Sequence, residues 1–444
     1  MHSRALADKV CRVLHAAGHE AWFVGGCVRD LLLGREPADF DVSTDATPTR
    51  VLELFPGSIS VGAKFGVILV VQEEAKVEVA TFRSDVGYSD GRHPDRVVYS
   101  KTPQEDVLRR DFTINGLLMD PRTGEVRDFV GGRADLEAKL IRAIGEPAHR
   151  FAEDKLRMVR AVRFAARLGY AIDSATFAAI QNLAPEVAVV SAERLRDELT
   201  RLLTEGAARR GFELLDQSGL LAALLPDVAK MKGVKQPPQF HPEGDVWIHT
   251  RMMLEMLAPG CSTTLAWGVL LHDVGKPPTF APPSGPDGRI RFDRHVEVGM
   301  SMAEEICRRF RFSNEEAEQI VSLVEHHLRF KDVPHMKAST LKRFVRLPRF
   351  EEHLELHRLD CLSSHGMLDN YDFVLRFLKE TPPEQVRPPR LITGEDLKQL
   401  GLIPGPQFRS LLQAVEDAQL EGRLTSREGA LEFVRATVAS SSGD

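Results

Sequence analysis

Residues 22–41 constrain this chain more than any other stretch. Trp22-Phe23-Val24 is an apolar run that predicts a strand. Gly25 and Gly26 follow it, and without side chains they let backbone N–H groups approach a phosphate closely. A short helix over Cys27–Leu33 then carries Arg29 in its first turn, where the helix dipole and the guanidinium both favour an anion. After a break at Gly34 and Pro37, Asp39 and Asp41 flank Phe40. On an extended segment that spacing turns both carboxylates to one face, where they repel unless a cation lies between them. A pair of Mg²⁺ ions is the usual answer when the substrate is a triphosphate. A Gly-Gly turn or a spaced Asp pair is common by itself. The order strand, Gly-Gly, helix with Arg, then Asp-x-Asp is specific.

Gly25-Gly26-Cys27-Val28-Arg29-Asp30 followed by Asp39-Phe40-Asp41 resembles the signature of the class II tRNA nucleotidyltransferase and bacterial poly(A) polymerase family, which adds CCA or A residues to RNA 3′ ends. Two further stretches carry the resemblance. Arg109-Arg110-Asp111-Phe112-Thr113-Ile114-Asn115 matches the family's R-R-D-F-T-x-N, with Gly116 standing where Ala is common. Glu153-Asp154-x-x-Arg157 matches its E-D-x-x-R. The resemblance implies an α+β chain: a polymerase-beta-like nucleotidyltransferase head with a mixed sheet, then an all-α neck and an all-α HD domain. It implies that Asp39 and Asp41 are the catalytic carboxylates and hold two Mg²⁺, with Glu78, in the strand Lys76–Phe82, as a third acidic ligand. Gly26, Arg29 and Arg110 are then expected to hold the nucleotide's phosphates. Asp154 and Arg157 are expected to choose the base, supported by Arg160 and Arg163. The chemistry of that choice follows from donor and acceptor types. Cytosine and adenine each offer a ring acceptor beside an amino donor, which an Arg and a carboxylate satisfy together. Guanine and uracil reverse the pattern and would leave polar groups unpaired.

Composition adds bounds. A chain of 444 residues predicts two to four domains. The formal charge of −6 rules out a bulk basic signature, so an RNA site has to be a local patch. No apolar run reaches the eighteen residues of a membrane span. The N-terminus has no long apolar region of the secretory kind, and the five scattered cysteines form no C-x-x-C. A cytoplasmic protein with reduced thiols is the expectation.

The rest of the chain reads in order. Leu6, Val10, Val13 and Leu14 predict an amphipathic helix over 3–18, and Thr47-Pro48 opens another that ends before Pro56. Residues 66–71 and 76–82 read as strands, residues 84–104 as a long mobile loop, and Pro121–Gly124 as a hairpin turn. From Pro147 the period becomes helical, which puts Asp154, Arg157 and Arg160 on roughly one helix face. Residues 170–230 read as scaffold without chemistry, and Lys230–Phe240 as a linker.

Histidines then crowd: ten of the fifteen lie between His241 and His365. His272-Asp273-Val274-Gly275-Lys276 follows the apolar run Leu265–Leu271, so the His-Asp dyad emerges from a buried helix. Imidazole with carboxylate suits a hard or borderline divalent metal of unspecified identity. The stretch resembles the HD phosphohydrolase family, whose H…HD…D ligand set His249, His272, Asp273 and Asp360 match in order. His295, His326 and His327 stand where two-metal members have extra ligands. That resemblance implies a phosphatase or 2′,3′-cyclic phosphodiesterase activity. Further on, Lys342, Arg343, Arg346 and Arg349 offer a basic patch for RNA phosphates, or a solvated face.

The domains expected are a catalytic head over 1–140, a helical neck that binds the base and RNA over 141–230, an HD domain over 245–365 and a helical tail over 366–444. The function implied is template-independent addition of CCA to the tRNA 3′ end from CTP and ATP, with no membrane and no DNA. The alternatives are an A-adding enzyme or poly(A) polymerase, a metal-dependent HD phosphohydrolase with an RNA-binding head, and a non-catalytic RNA chaperone, which the metal pair beside a triphosphate loop disfavours.

Overall fold

The computed structural model describes residues 3–62, 66–86, 96–284 and 289–441. The chain forms two compact units. The first is Met1–Ala229 with Leu257–Gly260 and Arg309–Arg311, and the second is the remainder from Lys230.

The first unit is built on a mixed sheet. Its strands are β1 (Ala21–Val24), β2 (Asp41–Thr44), β3 (Ile59–Gly62), β4 (Val67–Gln72), β5 (Ala75–Thr81) and, after a separate ribbon of β6 (Arg83–Val86) and β7 (Arg96–Tyr99), β8 (Leu117–Met119) and β9 (Val126–Asp128). The order is β3-β4-β5-β2-β1-β8-β9, and among the described residues of this sheet only β2 and β5 pair in parallel. Alternation along β5 explains its placement: Val77 and Val79 are buried, while Lys76 and Glu78 face out. Helix α1 (Ser3–Ala16) lays Leu6, Val10 and Leu14 in the same core cluster as Val42, Val77 and Val79. Each such side chain contributes about 1.5–3 kcal/mol by leaving water. A second cluster unites Trp22, Val24, Phe82, Val107 and Leu118. Helix α2 (Gly26–Leu32) follows β1 directly, and Thr47 caps α3 (Pro48–Leu54) by accepting from the Arg50 N–H.

Two expectations need correction. Residues 84–104 are not all loop: Arg83↔Tyr99 and Ser84↔Val98 pair across the β6–β7 ribbon, and helix α4 (Pro103–Leu108) starts within the stretch. Val97, Val98 and Tyr99 are strand formers that override the turn composition around them. The tip, residues 87–95, lies outside the described residues. The helix over 151–164 is also interrupted. Pro147–Glu153 ends at Asp154, whose backbone is extended (φ −151°, ψ 105°), and a new helix runs Leu156–Leu168. The Asp154 carboxylate accepts the Leu156 N–H at 3.1 Å, the local competition by which Asp favours helix starts over helix interiors. Asp154 therefore sits at a corner and shares no helix face with Arg157 and Arg160.

The second unit is helical apart from a two-stranded ribbon, Phe280–Ser284 with Arg289–Phe292, among the described residues. Helices Val246–Met256, Thr263–Leu271, Asn314–His326 and Phe350–Ser363 pack together. The helix Thr263–Leu271 is apolar all round and buried, which places His272 and Asp273 inside the unit. The predicted basic patch is spent within the chain. Lys342 donates to the Leu420 carbonyl, Arg343 pairs with Asp417 and Glu416, Arg346 with Glu416, and Arg349 with Glu315. Among the described residues, no helix is long and apolar enough to cross a membrane.

Candidate active sites

In the head, strand register assembles the site. Val24 at the end of β1 pairs with Asp41 at the start of β2, and Asp41 pairs with Glu78 of β5. The turn that leaves β1 and the acidic segment that enters β2 therefore meet at one end of the sheet. Gly25 has φ +77°, and a Cβ there would come within 3.2 Å of Arg110 Nη1. That glycine allows the guanidinium to lie over the turn. Arg110 is held by the buried Asp106 (3.1 Å) and by Ser43 Oγ (3.3 Å). Burial raises the pKa of Asp106, but Arg110 and Arg109 outweigh it and keep the carboxylate ionised.

The acidic end shows the opposite balance. Burial first, then the charges of Glu78 and Asp39, push Asp41 from the usual 3.8 to about 6, against the pull of Arg110. Among the described residues, none forms an ion pair with Asp39, Asp41 or Glu78. Excess negative charge on oxygen donors alone is the donor set that suits Mg²⁺.

Arg29 is 3% exposed and donates to Asp30 (2.8 Å) and to Asn115 (2.7 Å). It ties α2 to the Thr113–Asn115 turn. Gly26 is close by: a Cβ there would meet Arg29 Nη2 at 3.6 Å. The departure at Gly116 has a steric reason, since a Cβ would fall 2.8 Å from Val130 Cγ2 and 3.0 Å from Val107 Cγ1.

The two base-choosing candidates are held separately. Arg157 donates to Glu153 (2.5 Å) and to the Arg150 and Arg109 carbonyls. Asp154 pairs with Arg194 at 2.6 Å. Arg160 bridges Asp111 (2.9 Å) and Glu198 (3.3 Å), and Arg163, 3% exposed, pairs with Glu198 at 2.6 Å. Asp111 is driven up by burial but brought down to about 2, chiefly by Arg160. Arg29, Arg160 and Arg163 all lie 4.4–5.3 Å from the centre of the Phe164 ring, within cation–π range. Arg194 and Glu198 belong to the segment 170–230, whose sequence predicts scaffold. Their i, i+4 spacing on one helix marks ordinary salt-bridged surfaces equally well.

Among the described residues, the second unit holds three candidate ligand groups: His241, Glu243 and His249 form one, which shares His249 with the next, and two lie about the His272-Asp273 dyad. His249, His272 and Asp360 bring one ligand atom each within 4.8 Å of one another, and so do Asp273, His295 and His327. Adjacent residues His272 and Asp273 put one member in each of these two clusters. The rings are oriented from behind. Nδ1 of His272, His295 and His327 lies 2.7–2.9 Å from the carbonyl of the residue three earlier. That fixes the proton on Nδ1 and leaves the Nε2 lone pair for a metal. These Nε2 atoms are buried without a hydrogen bond and stand 3.1, 4.0 and 3.7 Å from the Asp273 carboxylate. Orphaned imidazole nitrogens around buried carboxylates fit a pair of divalent ions.

Electrostatics agree. Burial disfavours the charged form of His249, yet Asp360 and Glu243 on its two sides raise it to about 9. Burial lowers His327 to about 4. Asp273 is penalised by burial, but His272 and Lys276 hold it far below the usual carboxylate range. Gly275 is required by close approach. A Cβ would fall 2.1 Å from the His295 carbonyl oxygen and 2.6 Å from Gly299 N, so the helix His295–Arg309 could not bring His295 to Asp273.

His326 is not brought to these clusters. Its ring lies against Phe344 and His353, because neighbouring residues at a helix end point about 100° apart. Two residues escaped the sequence reading. Glu243 Oε1 is 2.8 Å from Nδ1 of both His241 and His249. His241 and Glu243 precede the helix in a polar turn that nothing in the sequence marks out.

Known proteins resemble the chain along most of its length. Residues 21–142 match the poly A polymerase head domain, 169–232 the model described as "Probable RNA and SrmB- binding site of polymerase A", and 245–361 the HD domain. The CCA-adding enzyme of Levilactobacillus brevis is 31% identical over 96% of both chains. The chain belongs to the CCA-adding enzyme family. The CCA-adding enzyme of Geobacillus kaustophilus is 43% identical over 52% of this chain, a match that spans 57% of that enzyme's length. The crystal structure of the Bacillus stearothermophilus CCA-adding enzyme in complex with CTP covers 98% of both chains with a TM-score of 0.74 and 26% identity. The Thermotoga maritima CCA-adding enzyme complexed with tRNA, 20% identical with a TM-score of 0.58, shares the fold.

Proposed function

We propose that this chain adds CCA to tRNA 3′ ends from CTP and ATP without a nucleic-acid template. The observation that carries the reading is the register Val24–Asp41–Glu78, which sets two carboxylates beside a glycine turn covered by Arg110, with the charge of Asp39 near enough to act on Asp41. Asp39, Asp41 and Glu78 would hold two Mg²⁺ ions, which when bound acidify the RNA 3′-hydroxyl and neutralise the triphosphate. The chain's own groups do the rest. Amides of the Gly25–Gly26 turn and the Arg110 guanidinium bind phosphate oxygens. Arg29 acts from behind by fixing α2 to Asn115. Arg157 and Asp154 present donor and acceptor to the base, and Arg194 and Glu153 set their positions. Arg160 and Arg163 buttress that wall through Glu198.

A second activity is supported by the paired His/Asp clusters: metal-dependent hydrolysis of phosphate esters in the HD domain. His249, His272, Asp273 and Asp360, with His295 and His327, would hold the ions.

The test is addition of labelled CTP and ATP to tRNA lacking CCA, tRNA ending in CC, and an unstructured oligonucleotide. Ordered use of both nucleotides on the first tRNA is expected. ATP alone on tRNA-CC would make the chain an A-adding enzyme, and tailing of the oligonucleotide a poly(A) polymerase. No addition to any RNA would overturn the reading.

A further inference from the structure

Arg157, Arg160 and Phe164 recur along the helix Leu156–Leu168 at spacings of three and four, which is one helix face. The two arginines tie that face to the segment Arg109–Asp111. Arg157 donates to the Arg109 carbonyl at 3.1 Å, and Arg160 pairs with Asp111 at 2.9 Å. Phe164 reaches further, to α2, the helix that follows the glycine turn. Its ring is 5% exposed and has the Arg29 guanidinium carbon 5.2 Å from its centre. The fully buried Phe112 meets it edge-on, with centroids 5.8 Å apart.

The same ring carries Arg160 at 5.3 Å and Arg163 at 4.4 Å. Three guanidiniums about one ring repel one another, and Arg29 and Arg163 are buried, so water and salt screen little of that repulsion. Carboxylates offset the charge. Asp30 holds Arg29, Asp111 and Glu198 hold Arg160, and Glu198 with Glu205 holds Arg163. Asp30, Asp111 and Glu198 lie on separate elements, so they neutralise the cations without giving them a common reference. The electron-rich faces of Phe164 supply that reference, since a cation is drawn to a ring face and repelled by the ring edge. An aliphatic side chain of similar size would fill the space against Phe112 and offer no such face.

We propose that Phe164 is a positioning residue for nucleotide addition: its ring, shared by Arg29, Arg160 and Arg163, sets the base-reading side chains at a fixed distance from the turn that binds the triphosphate. The inference rests on the assignment of Asp154 and Arg157 to the base, and of the Gly25–Gly26 turn and Arg110 to the phosphates. It adds the part that makes the two act on one nucleotide. Hydrogen bonds that tell C from U hold only within about 2.7–3.2 Å. A misplacement of about 1 Å can cost about a hundredfold in rate even when its cause lies far from the chemistry. In this role Phe164 touches neither base nor phosphate and acts through the arginines around it.

The test uses full-length protein with Mg²⁺, and phenylalanine analogues bearing one, two or three ring fluorines in place of Phe164. Fluorine withdraws electron density from the ring face at nearly constant shape, so packing is kept while the attraction to the guanidiniums fades. Two quantities are followed along the series: calorimetric affinities for CTP and UTP, and the CTP:UTP ratio in addition to tRNA lacking CCA. Both ratios should fall stepwise, by about tenfold at three fluorines. Inhibition by pyrophosphate, which reads the phosphate site alone, should not change, and neither should the melting temperature. Phe164→Leu should lose as much discrimination as the trifluorinated ring. A CTP:UTP ratio that ignores fluorine overturns the proposal, whatever Phe164→Leu does to folding. A loss shared equally by pyrophosphate inhibition makes Phe164 a packing residue of the head and also overturns it. The calorimetric ratio needs no acceptor RNA. A chain that adds nothing to tRNA would therefore overturn the function proposed above, and the calorimetric series would still decide the role of Phe164.

Discussion

Asp41→Asn in metal-free protein separates electrostatic strain at the head site from its catalytic role. In the fold, burial with Glu78 and Asp39 holds Asp41 at about 6 instead of 3.8. That difference corresponds to about 3 kcal/mol. The folded state binds this proton more tightly than the unfolded chain does. Stability from this group is therefore full below pH 3.8, falls as pH rises toward 6, and is lost above it. Asn keeps the shape and removes the charge. In the presence of a chelator, Asp41→Asn should match the wild type near pH 4 and exceed it by up to about 3 kcal/mol at pH 8. Hydrogen exchange of the β1 and β2 amides reads the stability of this unit. Adding Mg²⁺ at pH 8 should stabilise the wild type and leave Asp41→Asn nearly unchanged, while the variant loses nucleotide addition. If the variant is no better protected than the wild type at pH 8 without metal, the three carboxylates do not strain one another, and the metal site argued from their repulsion falls.

Further outcomes follow from the same geometry. Glu243→Gln should weaken metal binding to the HD domain about tenfold to hundredfold by loosening His249, measured by titration against a chelating dye, while nucleotide addition stays intact. Gly275→Ala, with its Cβ 2.1 Å from the His295 carbonyl, should cost about 1–3 kcal/mol and remove one of two bound metal equivalents by mass spectrometry. Retention of both would sever Gly275 from the site. Arg194→Ala should raise KM for CTP about tenfold and relax discrimination against UTP, since Asp154 loses the partner that orients it. An unchanged CTP:UTP ratio would show that Arg194 is scaffold. Glu78→Gln should lower the pKa of Asp41 and weaken Mg²⁺ binding, read from the Mg²⁺ dependence of addition.

Local features of this chain were legible because they rest on local rules. The strand before Gly25, the cap at Thr47, the alternation of Val77, Glu78 and Val79 and the buried helix before His272 each follow from side-chain type and period. Position Asp154 shows where such reading fails. Periodicity counted it onto a helix, but its own carboxylate captures a backbone N–H and starts a new helix, a competition that a hydrophobic pattern does not encode. The basic run from Lys342 to Arg349 fails for another reason: its acidic partners Glu416 and Asp417 lie some seventy residues away.

The sequence by itself determined which chemical groups the chain carries and in what order: an acidic pair after a glycine turn, an Asp and an Arg three residues apart, and a histidine-rich segment around one His-Asp dyad. The tertiary structure decided which of these groups meet. The parallel pairing of β2 with β5 put Glu78 beside Asp41 across thirty-odd residues. The close packing at Gly275 brought His295 to Asp273, the turn at the helix end pointed His327 rather than His326 at it, and the turn before Val246 supplied Glu243 to His249. Metal and phosphate sites depend on distances of a few ångströms between residues far apart in the chain. Only the packing of elements sets those distances.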